Sequence, residues 1–200
     1  MDSFPLTHKP TLEGRLVVLR PFTEADISAM GPVLADPEVQ ILTGSVASRA
    51  QADGASATLD ERTLAWYRSR AAQGDRLDLA IVDAQSGECV GEAVLNDVDP
   101  ENRSCNFRIL MGPAGRGRGL GTEATRLILD HAFATTELHR IELEVYSFNP
   151  RARRAYEKAG FVAEGVRRDA LLFDGEWINA EVMSVLRSDP RPASFRPAGQ

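Results

Sequence analysis

Short segments in which apolar and polar residues alternate occur along much of the chain, and such alternation is typical of half-buried β-strands. The clearest is Arg140–Tyr146 (RIELEVY), in which isoleucine, leucine and valine alternate with two glutamates. The other predicted strands are Leu16–Arg20, Leu77–Val82, Glu88–Leu95, Ser104–Met111, Val162–Leu172 and Trp177–Leu186. Asp174 and Gly175 separate the last two strands, and this turn composition predicts a hairpin.

Segments whose apolar residues recur at intervals of three and four lie between these strands and predict helices. The predicted helices run from Thr23 to just before Pro37, over Leu59–Gln73, from about Thr122 to Thr135 and over Pro150–Ala159. The segment Thr43–Thr58 is small and polar, and we expect a loop there. The pattern predicts an α/β protein with a single mixed sheet that carries helices on its faces.

Composition fits one globular domain: the chain has 200 residues, of which 43% are hydrophobic and 26% charged. Its apolar runs are far shorter than the roughly 20 residues of a membrane helix. The first ten residues lack the basic start and apolar stretch of a secretory signal. Two cysteines exclude a disulfide scaffold and a four-cysteine metal site. We therefore expect a cytoplasmic protein without a metal or a membrane contact.

The formal net charge of −6 argues against a general nucleic-acid binder, because such domains usually carry a basic excess. A more specific signal is the segment Gly115–Gly121 (GRGRGLG), between a predicted strand and a predicted helix. Glycines at a helix N-terminus let an anion approach unpaired backbone N–H groups. The Walker and dinucleotide-binding patterns both fail here, so this segment alone fits either an anion cradle or a flexible turn.

A second motif follows one helix and one strand later. Arg116–Gly121 matches the Arg/Gln-x-x-Gly-x-Gly/Ala signature of the GCN5-related N-acetyltransferases (GNAT). Asn149–Phe161 (NPRARRAYEKAGF) is similar to their N-x-x-A-x-x-x-Y-E-K-x-G-F segment. The opening Leu12–Pro21 (LEGRLVVLRP) resembles the ribosomal-protein-alanine N-acetyltransferase (RimJ/RimL-like) branch.

The resemblance to this family covers residues 12–187, which we take as one domain between an N-terminal extension (1–11) and a proline-rich tail (188–200). It implies the GNAT fold, a mostly antiparallel twisted sheet of about seven strands flanked by about four helices. It also implies the cofactor acetyl-CoA. Ala152 departs from the branch, which often has serine there.

The family's cofactor contacts carry over to three parts of this chain. The loop that takes the pyrophosphate corresponds to Arg116, Gly117, Arg118, Gly119, Leu120, Gly121 and Thr122. The strand that pairs with the pantetheine arm corresponds to Leu110 and Met111, and Asn149 matches a pantetheine- or water-contacting asparagine. Arg154, with Arg151 and Arg153, either reaches a 3′-phosphate or is an ordinary solvated helix residue.

The resemblance implies direct attack of a neutral amine on the thioester, with no acyl-enzyme. Tyr156 matches the position that often protonates the leaving thiolate, and otherwise reads as a core tyrosine. Glu144 is the leading candidate for the base, since some ribosomal-protein acetyltransferases carry a catalytic glutamate there. Glu142 shares its strand face, and both also fit solvated residues. Other members use a water chain, here near Glu92, Asp97 and Asp99.

The predicted acceptor is a primary amine, either a protein or peptide N-terminus or a small amine such as an aminoglycoside or a polyamine. A non-catalytic CoA-binding sensor is the alternative outside enzymes, and a homodimer is frequent in the family. Seven acidic residues in the variable regions would suit a cationic acceptor. They are Asp53, Asp60, Glu61, Asp75, Asp169, Asp174 and Glu176. We expect His131, His139 and Cys105 to be structural.

Overall fold

The structure, a computed structural model, describes residues 6–190, so residues 1–5 and most of the predicted tail lie outside it. The strands are β1 (Leu12–Glu13), β2 (Val17–Arg20), β3 (Leu77–Asp83), β4 (Cys89–Asp99), β5 (Ser104–Met111), β6 (Arg140–Tyr146), β7 (Val162–Phe173) and β8 (Glu176–Leu186). The helices are α1 (Glu24–Ala35), α2 (Pro37–Leu42), α3 (Arg49–Ala52), α4 (Glu61–Arg70), α5 (Leu120–Thr135) and α6 (Pro150–Ala159). A single 3-10 turn, Pro113–Gly115, precedes α5.

All eight strands belong to one open sheet in the order β1-β2-β3-β4-β5-β6-β8-β7. Every neighbouring pair is antiparallel except β5 and β6, which are parallel. The predicted mixed, mostly antiparallel sheet is thus confirmed. It has one strand more than the expected seven, because the two-residue β1 pairs with β2.

The sheet separates two apolar clusters. On one face, side chains of α5 and α6, such as Ile128 and Ala159, pack with Leu79 and Ile81 of β3. On the other face α1, α2 and α4 contribute a smaller cluster that includes Met30, and it meets the sheet at Leu110 of β5. Successive residues of β5 therefore face different layers.

Pro37 has a double role that the sequence pattern did not predict. As expected, α1 stops at Ala35 before the proline. However, Pro37 is also the first residue of α2, where the missing N–H costs nothing. The Asp36 carboxylate caps α2 by accepting from the Val39 backbone N–H at 2.9 Å. The expected loop over 43–58 likewise contains one short helix, α3.

The sheet splits between β5 and β6. Their pairing is limited to Ser104–Asn106 against Arg140–Glu142. Beyond that point β6 stays paired with β8 as far as Tyr146, while β5 stays paired with β4 as far as Met111. The β5 edge that faces β6 is thus free of strand pairing over its second half, and a cleft lies there.

Residues 6–11, which belong to the predicted N-terminal extension, lie against the domain. The Leu6 side chain is buried in the larger apolar cluster. The Lys9 ammonium donates to the carbonyls of Leu6 (2.7 Å) and Gln73 (2.6 Å), and also to that of Arg76. Burial lowers the pKa of Lys9. Within residues 6–190 no helix is long and apolar enough to cross a membrane.

Candidate active site

The cleft at the split of the sheet has a volume of about 700 Å³ and two chemically different sides. We call the side formed by the helix α2 layer the α2 side. Its lining residues are Val39, Leu42, Thr43, Asp97, Asn106, Arg108, Leu110, Glu144 and Tyr146. We call the opposite side the α5 side. Its lining residues are Phe107, Ile109, Met111, Gly115, Gly117, Gly119, Gly121, Thr122, Thr125, Asn149, Ala152, Arg154, Ala155, Tyr156 and Lys158. Val145 and the ion-paired Arg116 and Arg151 also line the cleft.

Helix α5 begins at the cleft with no side-chain cap. Its N-cap is Gly119, in a left-handed backbone conformation (φ 85°), and Gly117 is also left-handed (φ 74°). The first backbone N–H groups of a helix have no partner inside the helix, and they carry the positive end of the helix dipole. This end of the cleft is therefore suited to an anion.

Gly121 supports the same interpretation through the space beside it. A Cβ added there would meet only Met111 Cγ at 3.7 Å and Ile109 Cδ1 at 3.8 Å, which are ordinary contacts. The residue lies in the first turn of α5 without a left-handed backbone, so alanine would suit the helix better by about 1 kcal/mol. Neither packing nor backbone geometry requires this glycine, and its backbone lies in the cleft wall.

Arg116 and Arg118 are both engaged in ion pairs, and of the two only Arg116 lines the cleft. The Arg116 guanidinium pairs with Asp36 and with Glu38 (2.5 Å), and it donates to the Met111 carbonyl at 3.0 Å. Arg118 pairs with Asp83 at 2.5 Å on the other side of the loop and does not line the cleft.

Leu120 is not brought to the cleft either, since its side chain is buried in the larger apolar cluster. Of the residues in the predicted pyrophosphate loop, the structure places Arg116, Gly117, Gly119, Gly121 and Thr122 in the cleft wall.

Helix α6 forms the rest of the α5 side. Asn149 caps it by accepting from the Ala152 N–H at 3.1 Å, and Gly160 ends it in a left-handed conformation (φ 107°). Arg151 pairs with Glu38 at 2.7 Å, and Arg153 pairs with Glu157 at 2.7 Å and with Glu181.

Two cations of α6 remain for a ligand. Arg154 and Lys158 line the cleft, and neither has a carboxylate partner in the part of the chain that the structure describes. They lie on the same helix face, four residues apart. Together with the start of α5, they make this end of the cleft electropositive.

Tyr156 lies in the wall of the cleft on the same helix. The residue is 8% exposed, and its ring packs edge-on against Phe107, with ring centroids 6.2 Å apart, and against Phe161. The hydroxyl has no hydrogen-bond partner among residues 6–190, and it is not sealed from the cleft. Burial raises the pKa of Tyr156, so the phenol keeps its proton at neutral pH.

Glu144 lies across the cleft on β6. Its carboxylate lines the α2 side and accepts a hydrogen bond from Nη1 of Arg167 on β7. Glu142 shares the strand face but pairs with Arg140 at 2.8 Å, and it does not line the cleft. The two glutamates therefore differ in access to the cleft.

Of the carboxylates considered for a water chain, only Asp97 lines the cleft. It occupies a bulge of β4 with a left-handed backbone (φ 51°) and accepts from Asn96 Nδ2 at 2.8 Å. Asp99 caps a turn by accepting from the Asn102 N–H at 3.0 Å. Glu92 is fully buried behind the α2 side.

The expected acidic acceptor surface is not found at the cleft. None of its seven residues lines it. Asp60 instead caps α4, and Asp174 pairs with Arg49. The cleft contains residues that the sequence pattern did not single out, above all Arg108, Tyr146 and Lys158. For Arg108 a signal did exist, because a charged residue stands between two apolar positions of a predicted inner strand.

The remaining reactive residues have structural surroundings. Cys105 is buried, which raises the pKa of its thiol to about 12, and burial raises the pKa of Cys89 to about 11. Burial also lowers the pKa of His131. No cluster of three or more histidine, cysteine, aspartate or glutamate side chains able to hold a metal ion exists within residues 6–190.

Comparison with known proteins places the chain in a family. The model of the acetyltransferase (GNAT) domain matches residues 16–162. The chain is 32% identical over 108 residues to spermidine N(1)-acetyltransferase of Vibrio cholerae, which is 54% of this chain and 62% of that protein. It is 26% identical over 121 residues to the ribosomal protein uS5-alanine N-acetyltransferase of Escherichia coli. That match covers 60% of this chain and 62% of that protein.

A solved structure has the same fold. The spermidine N-acetyltransferase from Vibrio cholerae in complex with CoA and spermine superimposes with a TM-score of 0.73 at 22% identity. The superposition covers 87% of this chain and 97% of that one. The domain match, together with a sheet split beside a glycine-rich helix start, leads to one conclusion: the chain belongs to the GNAT acetyltransferase family.

Proposed function

We propose that this acetyl-CoA-dependent N-acyltransferase transfers an acetyl group to a primary amine by direct attack, within the cleft between β5 and β6. One observation carries the proposal. The uncapped start of α5 and the free hydroxyl of Tyr156 line the α5 side of one cleft, and the carboxylate of Glu144 lines its other side.

The residues of the α5 side fit the cofactor. The backbone of Leu110 and Met111, at the unpaired edge of β5, can pair with the amide-bearing pantetheine arm. The first N–H groups of α5, beside Gly119, Gly121 and Thr122, suit the pyrophosphate. Arg154 and Lys158 supply the nearby positive charge, and Asn149 orients the start of α6.

Tyr156 is proposed as the general acid. Bound acetyl-CoA supplies the acetyl group as a thioester, from which the CoA thiolate departs. A thiol has an ordinary pKa near 8.5, so modest proton donation is enough. The Tyr156 hydroxyl holds its proton at neutral pH because burial raises its pKa, and no protein acceptor within residues 6–190 competes for that proton.

Glu144 is proposed as the group that takes a proton from the incoming ammonium. It is the glutamate of β6 that reaches the cleft, and the Arg167 guanidinium holds its carboxylate at the cleft wall. A substrate ammonium can replace Arg167 as the partner of Glu144, because both are cations that donate hydrogen bonds to a carboxylate. Asp97 offers a second carboxylate at the same mouth.

The acceptor enters from the α2 side. A peptide or protein N-terminus is our first candidate, and a polyamine or other small amine is the second. The relatives act, by their names, on spermidine and on a ribosomal protein alanine. A cytoplasmic location fits two free cysteines. A homodimer fits the exposed apolar side chains of the β7–β8 hairpin, Val162, Val166, Leu172 and Trp177.

The test is CoA release from acetyl-CoA by the purified protein, followed with a thiol reagent. The amine panel contains alanine- and serine-starting peptides, spermidine and an aminoglycoside. We expect turnover with at least one amine and none without an amine. Binding of CoA with no turnover on any amine would contradict the proposal and favour a CoA-binding sensor.

A further inference from the structure

A buried hydrogen-bonded group lies directly behind the α2 side of the cleft. The Glu92 side chain on β4 is 1% exposed. It accepts from the Tyr67 hydroxyl of α4 at 3.0 Å and from Arg108 Nη2 of β5 at 3.2 Å. Burying a carboxylate without partners is costly, so the contact between Glu92 and Arg108 holds the guanidinium in place.

Arg108 reaches from this buried group into the cleft. Its side chain is 44% exposed and lines the α2 side. Within residues 6–190 only its Nη2 atom makes a hydrogen bond to Glu92, so Nε and Nη1 remain as donors. A guanidinium held on one side and free on the other presents an oriented donor pair to the cleft.

The charged groups near Arg108 on the α2 side determine which acceptor molecules the cleft favours. Glu144 is paired with Arg167, and Asp97 has no cation partner among the described residues. The α2 side of the cleft therefore offers the carboxylates of Glu144 and Asp97 to one ammonium group. The Arg108 guanidinium beside them attracts an oxygen atom and repels a second positive charge.

We propose that Arg108 determines acceptor specificity: its guanidinium contacts an oxygen close to the attacking amine and disfavours polyamines. Tyr67 and Glu92 act as positioning residues. The inference rests on the proposed acetyl transfer and refines it, because it orders the two acceptor classes left above. The carbonyl of a peptide and the carboxylate of a free amino acid share this chemistry.

The experiment compares four amines with acetyl-CoA: an Ala-Gly-Gly amide, free alanine, isobutylamine and spermidine. Isobutylamine has an amine on a short branched chain without any oxygen. We expect kcat/KM for the wild type to be highest with the peptide or alanine, lower with isobutylamine and lowest with spermidine. The ratio of peptide to alanine distinguishes a carbonyl from a carboxylate as the recognised group.

Arg108→Gln should lower kcat/KM for the oxygen-bearing acceptor about 10- to 100-fold, the effect of one charge-assisted hydrogen bond. Most of the change should appear in KM, isobutylamine should change little, and spermidine should improve. Arg108→Lys should keep the discrimination against spermidine while recovering only part of the peptide activity. Arg62→Gln, an exposed arginine of α4 outside the cleft, is the matched control.

Equal losses with the peptide and isobutylamine in Arg108→Gln would show a merely structural role and overturn the inference. So would a wild type that prefers spermidine, although that result leaves the proposed acetyl transfer intact. Absence of turnover with these four amines and also with the serine-starting peptide and the aminoglycoside would overturn both. Glu92→Gln supplies a second variant, which should mimic Arg108→Gln in its KM pattern if Glu92 positions the guanidinium.

Discussion

Arg116 of the glycine-rich loop forms an ion pair with Asp36, the residue that caps helix α2. The same guanidinium also pairs with Glu38 of α2 and donates to the Met111 carbonyl at the end of β5. This contact joins the loop that leads to α5 with the helix on the opposite side of the cleft. The arginine of the family signature is therefore a structural link between the two sides in this chain.

Replacing Arg116 with glutamine should destabilise the fold. Its side chain is only 13% exposed, and the change leaves Asp36 without its cation, while Glu38 keeps its ion pair with Arg151. We expect a loss of about 1.5–3 kcal/mol in the free energy of unfolding, measured by urea titration. Arg118→Gln is the control, because that guanidinium is more exposed and should cost about 0–1 kcal/mol. Equal losses for the two variants would contradict this role.

Gly121→Ala should separate stability from cofactor binding. The added methyl group has room, so the free energy of unfolding should stay the same or rise by up to about 1 kcal/mol. Affinity for CoA, measured by calorimetry, should fall by about tenfold or more if the pyrophosphate approaches this backbone. Gly54→Ala, in an open loop away from the cleft, should leave affinity unchanged. Unaltered CoA affinity in Gly121→Ala would contradict the proposed binding of the pyrophosphate at the start of α5.

Tyr156→Phe should lower kcat by about 10²–10⁴-fold, the usual contribution of a general acid. Phenylalanine keeps the packing against Phe107, and the lost hydroxyl has no partner in the described chain, so stability and CoA affinity should hardly change. Stopped-flow measurement of thiol release gives kcat, and calorimetry gives the affinity for CoA. Wild-type turnover in this variant would rule out the acid role.

The pH dependence of turnover gives a second reading on Tyr156. Burial raises its pKa above the ordinary value near 10, so the acid stays protonated across the neutral range. The wild-type profile should therefore show no loss of kcat from this group below about pH 10. A basic limb near pH 8 that disappears in Tyr156→Phe would contradict the raised pKa.

The ion pair between Glu164 of β7 and Arg140 of β6 should make stability depend on pH on the acid side. Hydrogen bonds from Arg140 and Ser184 lower the pKa of Glu164 to about 2. A lowered pKa contributes stability above the ordinary value of 4.5, and this is lost as the pH falls towards 2. Because both groups are partly solvated, Glu164→Gln should cost only about 0.5–1 kcal/mol at pH 7.

Urea titrations of the wild type and Glu164→Gln at pH 7, 3.5 and 2 measure this contribution. The difference between the two proteins should shrink towards zero at the lowest pH and also in high salt. A difference that is independent of pH would mean that the side chain acts through packing rather than through charge.

Local patterns predicted several elements to the residue. The alternation in β6 and the Asn-Pro start and glycine end of α6 gave the observed bounds, because these signals act within one element. Relations between distant segments were not predictable in the same way. Arg116 and Arg118 look equivalent in the sequence, yet the fold brings Asp36 to one and Asp83 to the other.

The same limit applies to the α2 side of the cleft. Glu92 and Arg108 are brought together by the register of β4 with β5, which places Glu92 opposite Leu110. Neither strand's own pattern contains that register. The role of the glycine-rich segment was open between cradle and turn, and the free space beside Gly121 is what favours the cradle.

The split of the sheet has a consequence for how the protein responds to its ligand. In the part of the chain that the structure describes, three residue pairs, Ser104–Asn106 with Arg140–Glu142, join the two halves of the sheet. A molecule that binds the folded protein along the open edge of β5 stabilises it, and the added free energy of unfolding rises with the free ligand concentration L as RT ln(1 + L/Kd). Hydrogen exchange should report this directly, with the amides of β5 beyond Asn106 slowing as CoA saturates the protein.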